Sequence, residues 1–320
     1  MRFLLSCALV LVLGISSAFA TTAADLKLLL ESRDKKALAS AEALAKAEPK
    51  NAEAWILLTR ARLQANQAEA AVESAEKAVK FAPNNSQSHF WLGNAYGSRV
   101  GQVGMFAQMS MAPKIRDAFE KAVALDPNNL DARDGVLQFY LQAPSVVGGK
   151  DKDKVNAQAN EIAKRDVARG HLARAQIFMS EKNTAAALKS YEAAYAAKPS
   201  DKNIRMALGI GYQMAERWND AFKHFRAWTT RDENAGSAWY QIGRTSALSG
   251  LQLDEGIAAL QKYIGMPHAA NEPQNKSAFY RLGQLYAKAG KRTEAKAALQ
   301  AALKLDPKFA DAKTELGKLK

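Results

Sequence analysis

One cysteine occurs in the 320 residues, at position 7. A single thiol can form no internal disulfide and no cysteine-rich zinc site. Histidine is almost as scarce, with His89, His171, His224 and His268 scattered along the chain. The sequence has no His-Glu-x-x-His, no Gly-x-Ser-x-Gly and no phosphate-cradling Gly-x4-Gly-Lys-Ser/Thr. Gly148-Gly149-Lys150 has no strand before it and no Ser or Thr after it, so it reads as a connection between helices. The pairs Asp131/Asp134 and Asp254-Glu255 read as helix-start or surface carboxylates. These absences leave no cluster for catalysis, and neither an enzyme activity nor a cofactor is expected. A membrane-spanning run of roughly 20 apolar residues is missing too.

The longest mostly apolar run is Phe3 to Ile15, thirteen residues behind Arg2. It leads to Ala18-Phe19-Ala20, the small-x-small pattern of a signal-peptidase site. Residues 1–20 are therefore expected to be a signal peptide, with the mature protein starting at Thr21 in a periplasmic or secreted location. Retention as an anchor is the alternative. Cys7 lies inside the apolar run and not after it, which argues against lipid attachment there. Cleavage would remove the only thiol, so apolar burial would have to hold the fold together.

Charge is unbalanced: 45 Lys and Arg against 32 Asp and Glu, a formal +13 that falls by one if Arg2 is removed. Outside the cytoplasm this favours acidic proteins or anionic envelope polymer over nucleic acid. The basic residues are spread evenly enough to serve mainly as a solvated surface.

What is abundant is repetition. Leu92-Gly93-Asn94-Ala95-Tyr96, Leu208-Gly209-Ile210-Gly211-Tyr212 and Leu282-Gly283-Gln284-Leu285-Tyr286 share one pattern, with Ile242-Gly243 as a degenerate copy. A second signature places Ala78, Ala122, Ala194 and Ala302 five residues before Pro83, Pro127, Pro199 and Pro307. Units then start at 52, 86, 130, 168, 202, 236, 276 and 310, and four of the seven intervals are 34 residues. Positions 4, 7, 8 and 11 of each unit fall on one face of a first helix. Glycine at position 8 permits close approach by a second helix, answered by Ala71, Ala187, Ala221 and Ala295 at position 20. Proline at position 32 stops that helix, and Asn84-Asn85, Asn128-Asn129 or Ser200-Asp201 can cap the next.

This pattern resembles the tetratricopeptide-repeat family, whose unit is a 34-residue helix pair carrying Trp-x2-Leu-Gly-x2-Tyr and then Ala, Phe, Ala and Pro. The resemblance covers residues 49–320 and implies an all-α, right-handed superhelical solenoid of helix-turn-helix units. About seven full repeats over 52–309 are expected, after N-terminal helices within 21–51 that include Ala37 to Ala47, and before a capping helix at 310–320. Two departures stand out. The 86–129 unit carries ten additional residues around Gly101 to Met105, an insertion near 99–112. The 130–167 unit has Leu137 in place of the glycine and lacks the closing proline.

The family's usual binding surface is the concave side lined by first helices, so peptide segments of other proteins are the expected partners. Positions 5 and 9 point into it and supply the candidate contacts Arg60, Phe90, Asn94, Gln176, Ile210, Tyr240, Arg244, Tyr280 and Gln284. Apolar and aromatic side chains beside amides and Arg suit an extended chain or a helix laid in a groove. Some members of the family grip a C-terminal carboxylate with Lys at position 5 and Asn at position 9. Asn94 matches that pattern, but Phe90 replaces the lysine. Met105, Met109 and Met111 in the insertion are read as packing or partner-contact residues, with soft-metal binding as the rival. Oligomeric state is not legible.

Overall fold

The 34-residue period becomes a stack of helix pairs because each unit repeats the same start and stop chemistry. The computed structural model describes residues 22–268 and 272–319, so the expected signal peptide and its cleavage point before Thr21 lie outside the described residues. Helices α1 (Ala23–Glu31) and α2 (Ala37–Ala47) form a leading pair. There follow α3 (Ala52–Gln64) with α4 (Ala68–Phe81), α5 (Ser86–Val100) with α6 (Met105–Leu125), and α7 (Leu130–Gln142) with α8 (Lys152–Arg165). Next come α9 (Val167–Ser180) with α10 (Thr184–Ala197), and α11 (Lys202–Met214) with α12 (Trp218–Arg231). The last pairs are α13 (Gly236–Ser249) with α14 (Leu253–Ile264) and α15 (Asn275–Lys288) with α16 (Arg292–Leu305), closed by α17 (Ala310–Lys318). Among the described residues every element is helical.

Capping sets the starts. Asn51, Asn85, Asn129 and Asp201 accept backbone N–H groups from the first turns of α3, α5, α7 and α11. A second tie recurs six residues downstream of the preceding proline. The ring or guanidinium nitrogens of Trp55, His89, Arg133 and Arg205 donate to the carbonyls of Pro49, Pro83, Pro127 and Pro199 at 2.8–2.9 Å. Trp239 does the same to Glu233. In these five units position 4 supplies a nitrogen donor as well as packing, a role that Phe279 cannot play in the last unit. That accounts for His89 without any catalytic role.

Packing within a unit is tighter than alanine facing glycine. A Cβ on Gly93 or Gly209 would come within 2.7 Å of Phe119 or 2.2 Å of Phe225, and one on Gly283 within 2.6 Å of Leu299. Position-8 glycine thus admits the large side chain of position 24, while Ala71, Ala187, Ala221 and Ala295 are fully buried nearby. Between units, the tyrosine at position 11 reaches back twenty residues. Tyr96 donates to Glu76 at 2.8 Å and Tyr140 to Glu120 at 2.6 Å. Each such bond contributes on the order of 1 kcal/mol.

The divergent unit solves its missing motifs locally. Leu137 is buried, and the glycine has moved to Gly135, where a Cβ would meet Phe119 of the previous unit at 2.5 Å. Asp166 replaces the closing proline. It ends α8 in extended backbone and caps α9 by accepting the Arg169 N–H at 2.9 Å. First helices contact first helices along the stack (α1 with α3, α3 with α5, α5 with α7, α7 with α9), whereas successive second helices make no comparable contact. The first helices therefore lie on the inner side of the curve.

Candidate functional site

The inner side carries a cleft where the insertion falls. Most second helices are 12 to 14 residues long, but α6 has 21, and the extra turns precede Pro113. Proline lacks the N–H that would bond the carbonyl of Met109, so the extension is joined to the packed part of α6 by a weakened turn. Its leading turns are exposed, with Met105 72% exposed, Phe106 89% and Met109 43%, and burial resumes at Ala112. Of the two roles expected for these methionines, packing or partner contact, packing into the solenoid does not hold for Met105 and Met109. Across from them the 3-10 turn Ser145–Val147 holds Val146 at 74% exposure.

Between these walls lies a cleft of about 930 Å³. Phe90, Val100, Met105, Met109, Ile115 and Phe139 make it apolar, and Asn94, Gln108, Gln138 and Gln142 supply amides. Its floor is Phe119, seated between Gly93 and Gly135. Gly97 forms part of the wall, and a Cβ there would meet nothing within 4 Å. Bare backbone on one side and adaptable thioethers on the other leave room for a guest side chain.

At one end the chemistry changes. Arg169 of α9 donates from Nε and Nη2 to Oδ2 of Asp134 at 2.8 and 2.6 Å, and from Nη2 to Asp131 at 2.5 Å. Burial pushes the Asp134 carboxyl above its ordinary range, with Arg169 pulling the other way and Asp131 adding to the rise. The same three residues line a second cavity of about 360 Å³, which also takes in Asp166, Asp201, Lys198 and Gln176. The cleft therefore runs from an apolar chamber into an acidic one, against the chain's overall positive charge.

Of the sequence-predicted contacts, Phe90 and Asn94 line the large chamber and Gln176 the acidic one. The other six lie elsewhere. Arg60 is over the Trp91 ring at 5.3 Å, and Ile210 is half-buried on α11. Arg244 donates to Gln213, and burial first, then Arg281, lowers its affinity for protons. Tyr280 packs on Phe309 with centroids 5.2 Å apart and accepts a hydrogen bond from Gln284 at 2.9 Å. Tyr240 is a correction: only 7% exposed, it belongs to the C-terminal core, so it is not an open groove anchor. Position 9 forms part of an amide ladder, in which Gln142 donates to Gln138 and Gln138 to Gln176. Asp131 and Arg169, both at position 2, were missed as site residues. Their signal was a carboxylate and a guanidinium at matching positions of adjacent units.

Three of the four histidines have structural roles. His89 bonds a proline carbonyl and His224 the Arg205 carbonyl, while His268 bonds Asn275 and stacks on Tyr263. Among the described residues no three His, Cys, Asp or Glu side chains gather as a metal site, and no helix is long and apolar enough to cross a membrane.

Three segments match family models described as tetratricopeptide repeat: residues 35–86, 168–201 and 277–309. The Cut9–Hcn1 hetero-tetramer of the APC/C is similar over 93% of this chain, at TM-score 0.52 and 16% identity. The chain spans about half of that structure's length, 54%. A tetratricopeptide-repeat protein of Parabacteroides merdae is similar at TM-score 0.51 and 12% identity, over 84% of this chain and 98% of its own. TTC0263, a thermophilic repeat protein of Thermus thermophilus, is similar at TM-score 0.50 and 20% identity, over 58% and 94%. At these identities the likeness concerns the fold. No curated protein matches the sequence.

Proposed function

Since this chain belongs to the tetratricopeptide-repeat proteins, we propose that it is a non-catalytic adaptor of the cell envelope that holds polypeptide segments of other proteins. The observation that carries the reading is the 930 Å³ apolar cleft on the inner face, built by an insertion that leaves Met105 exposed in its wall and the neighbouring Phe106 in water. Large apolar side chains left in water at a concave site are characteristic of interaction surfaces. The extracytoplasmic setting rests on the apolar run Phe3 to Ile15 and on Ala18-Phe19-Ala20. Intact mass of the exported protein tests it, with Thr21 expected at the N-terminus and a retained Met1 pointing to an anchored form.

The cleft itself is tested with a photo-crosslinking residue at position 105, exposed to native envelope extract. Adducts are expected with the parent and not when Gly97→Phe fills the cleft. Equal capture by both proteins would move binding elsewhere on the solenoid. A second reading, attachment of anionic envelope polymer through the basic surface, is favoured by the net charge of +13. At about 0.5 M salt that attachment should be lost, since the screening length falls to a few ångströms. Binding with an apolar component should persist.

A further inference from the structure

Resting on that reading of the cleft, we propose that its occupant is a cationic amphipathic segment: one or two large apolar side chains in the methionine-walled chamber, next to a Lys or Arg over Asp131. The argument is charge complementarity at the junction of the two cavities. The acidic cavity is lined by Asp131, Asp134, Asp166 and Asp201 against only Arg169 and Lys198. The large chamber adds no lysine and no further arginine to Asp131, Asp134 and Arg169. The groove is therefore locally negative in a protein that is positive overall.

The ion pairs say which carboxylate would receive the guest. Asp134 is held by two bonds from Arg169 and is the less exposed of the pair, whereas Asp131 has one bond and a side chain 58% exposed. One guanidinium cannot neutralise two carboxylates. An incoming cation can take Asp131 while Arg169 keeps Asp134, so the cleft stays folded and exchanges a solvated partner for a bound one. The apolar part of the guest would meet the Phe90 ring and the thioethers of Met105 and Met109, which adapt to irregular shapes. An acidic segment is attracted by the protein as a whole but repelled at this junction.

A random 12-residue peptide library, displayed and selected on the full chain at physiological salt, tests this. Selected sequences are expected to carry a large apolar residue adjacent to Lys or Arg, and Gly97→Phe is expected to lose them. A selected peptide should bind at least about tenfold tighter than its Lys→Glu version by fluorescence anisotropy. Asp131→Asn should erase most of that preference while leaving the melting curve in place. Sequences without a basic residue, or a Glu version that binds as well, overturn the charge assignment yet leave the cleft as a binding site if Gly97→Phe still abolishes capture. Selection unaffected by Gly97→Phe, or no selection at all, overturns both readings. Self-association of the parent that Phe106→Asp dissolves would make a second copy the occupant and overturn the proposal.

Discussion

Tyr240 lies against Tyr263 with ring centroids 5.4 Å apart, and this contact closes the α13–α14 pair. Tyr263 is wholly buried, stacks on His268 at 4.1 Å and donates its hydroxyl to the Pro273 carbonyl at 2.5 Å. The column thus runs from a first helix through a second helix into the connection before α15.

Tyr240→Ala should therefore destabilise the C-terminal units, by about 3 kcal/mol or more on the scale of aromatic truncation in a core. Tyr280→Ala, at a half-buried site on Phe309, should cost clearly less. Hydrogen exchange should show α13 to α17 losing protection first in Tyr240→Ala, because each repeat depends mainly on its neighbours. Equal protection in the variant and the parent would mean that the ring is not part of this core.

Two glycines should behave oppositely. Gly209→Leu drives a side chain into Phe225, since even its Cβ would be 2.2 Å from the ring, and a loss of about 1–3 kcal/mol or more is expected from overpacking. Gly97→Leu enters open space and removes a poor helix former, so stability should be unchanged or raised by up to ~1 kcal/mol. Thermal melts of the two variants decide it. A destabilised Gly97→Leu would mean that the cleft wall is packed in solution.

Acid should weaken the centre of the stack. His224 is enclosed by Tyr195, Tyr212 and Phe225, and its Nε2 donates to the Arg205 carbonyl at 2.8 Å. Burial lowers its proton affinity below the ordinary value of 6.5, and Arg205 and Arg231 add to this while the carbonyl bond opposes it. Below about pH 6.5 the unfolded chain binds the proton that the folded chain resists, so stability falls as the pH drops. Between about pH 7 and pH 5 the parent should lose more melting temperature than His224→Gln. Parallel curves would refute the assignment.

Base should act on the tyrosine–glutamate ties. Burial, with help from Glu76, pushes the Tyr96 phenol up to about 12. An unfolded phenol ionises near 10, so this contribution is whole below about pH 10 and is lost as pH rises toward the folded value. Tyr96→Phe should cost on the order of 1 kcal/mol near neutrality, and an absorbance titration at 295 nm should lose one late-ionising component at about 12 while the still later Tyr263 component remains. If all the phenols titrate together near 10, the Tyr96–Glu76 bond is not made in solution.

Much of the fold could be read without coordinates. The spacing of Gly93, Gly209 and Gly283, the alanines before Pro83 and Pro127, and the capping Asn85 and Asp201 are local chemistry repeated in register. Helices α3, α5, α7, α11, α13 and α17 begin at the residues where units were counted to start. Even the Tyr96–Glu76 and Tyr140–Glu120 ties have a constant separation of twenty residues, a periodic signal of the same kind.

Part of the site was legible as well: Phe90, Asn94 and Gln176 were placed on the inner face by position alone. The sequence by itself determined the period, the helix pairs and the face of each helix on which a residue lies, because those follow from backbone geometry and neighbours a few residues away. Only the tertiary structure decided what covers each face. Tyr240 and Tyr280 share one position, yet Tyr240 is buried because Tyr263 packs on its ring, while Tyr280 stays half-open beside the terminal α17. Met105 read equally well as a packing or a partner-contact residue, and it stands in water with Phe106 because their helix extends past its neighbours. Asp131 and Arg169 became an ion pair only when adjacent units brought two charges, 38 residues apart in sequence, within 2.5 Å. Exposure and pairing are properties of surfaces that meet, and no periodicity within one helix encodes the surface that will arrive to meet it.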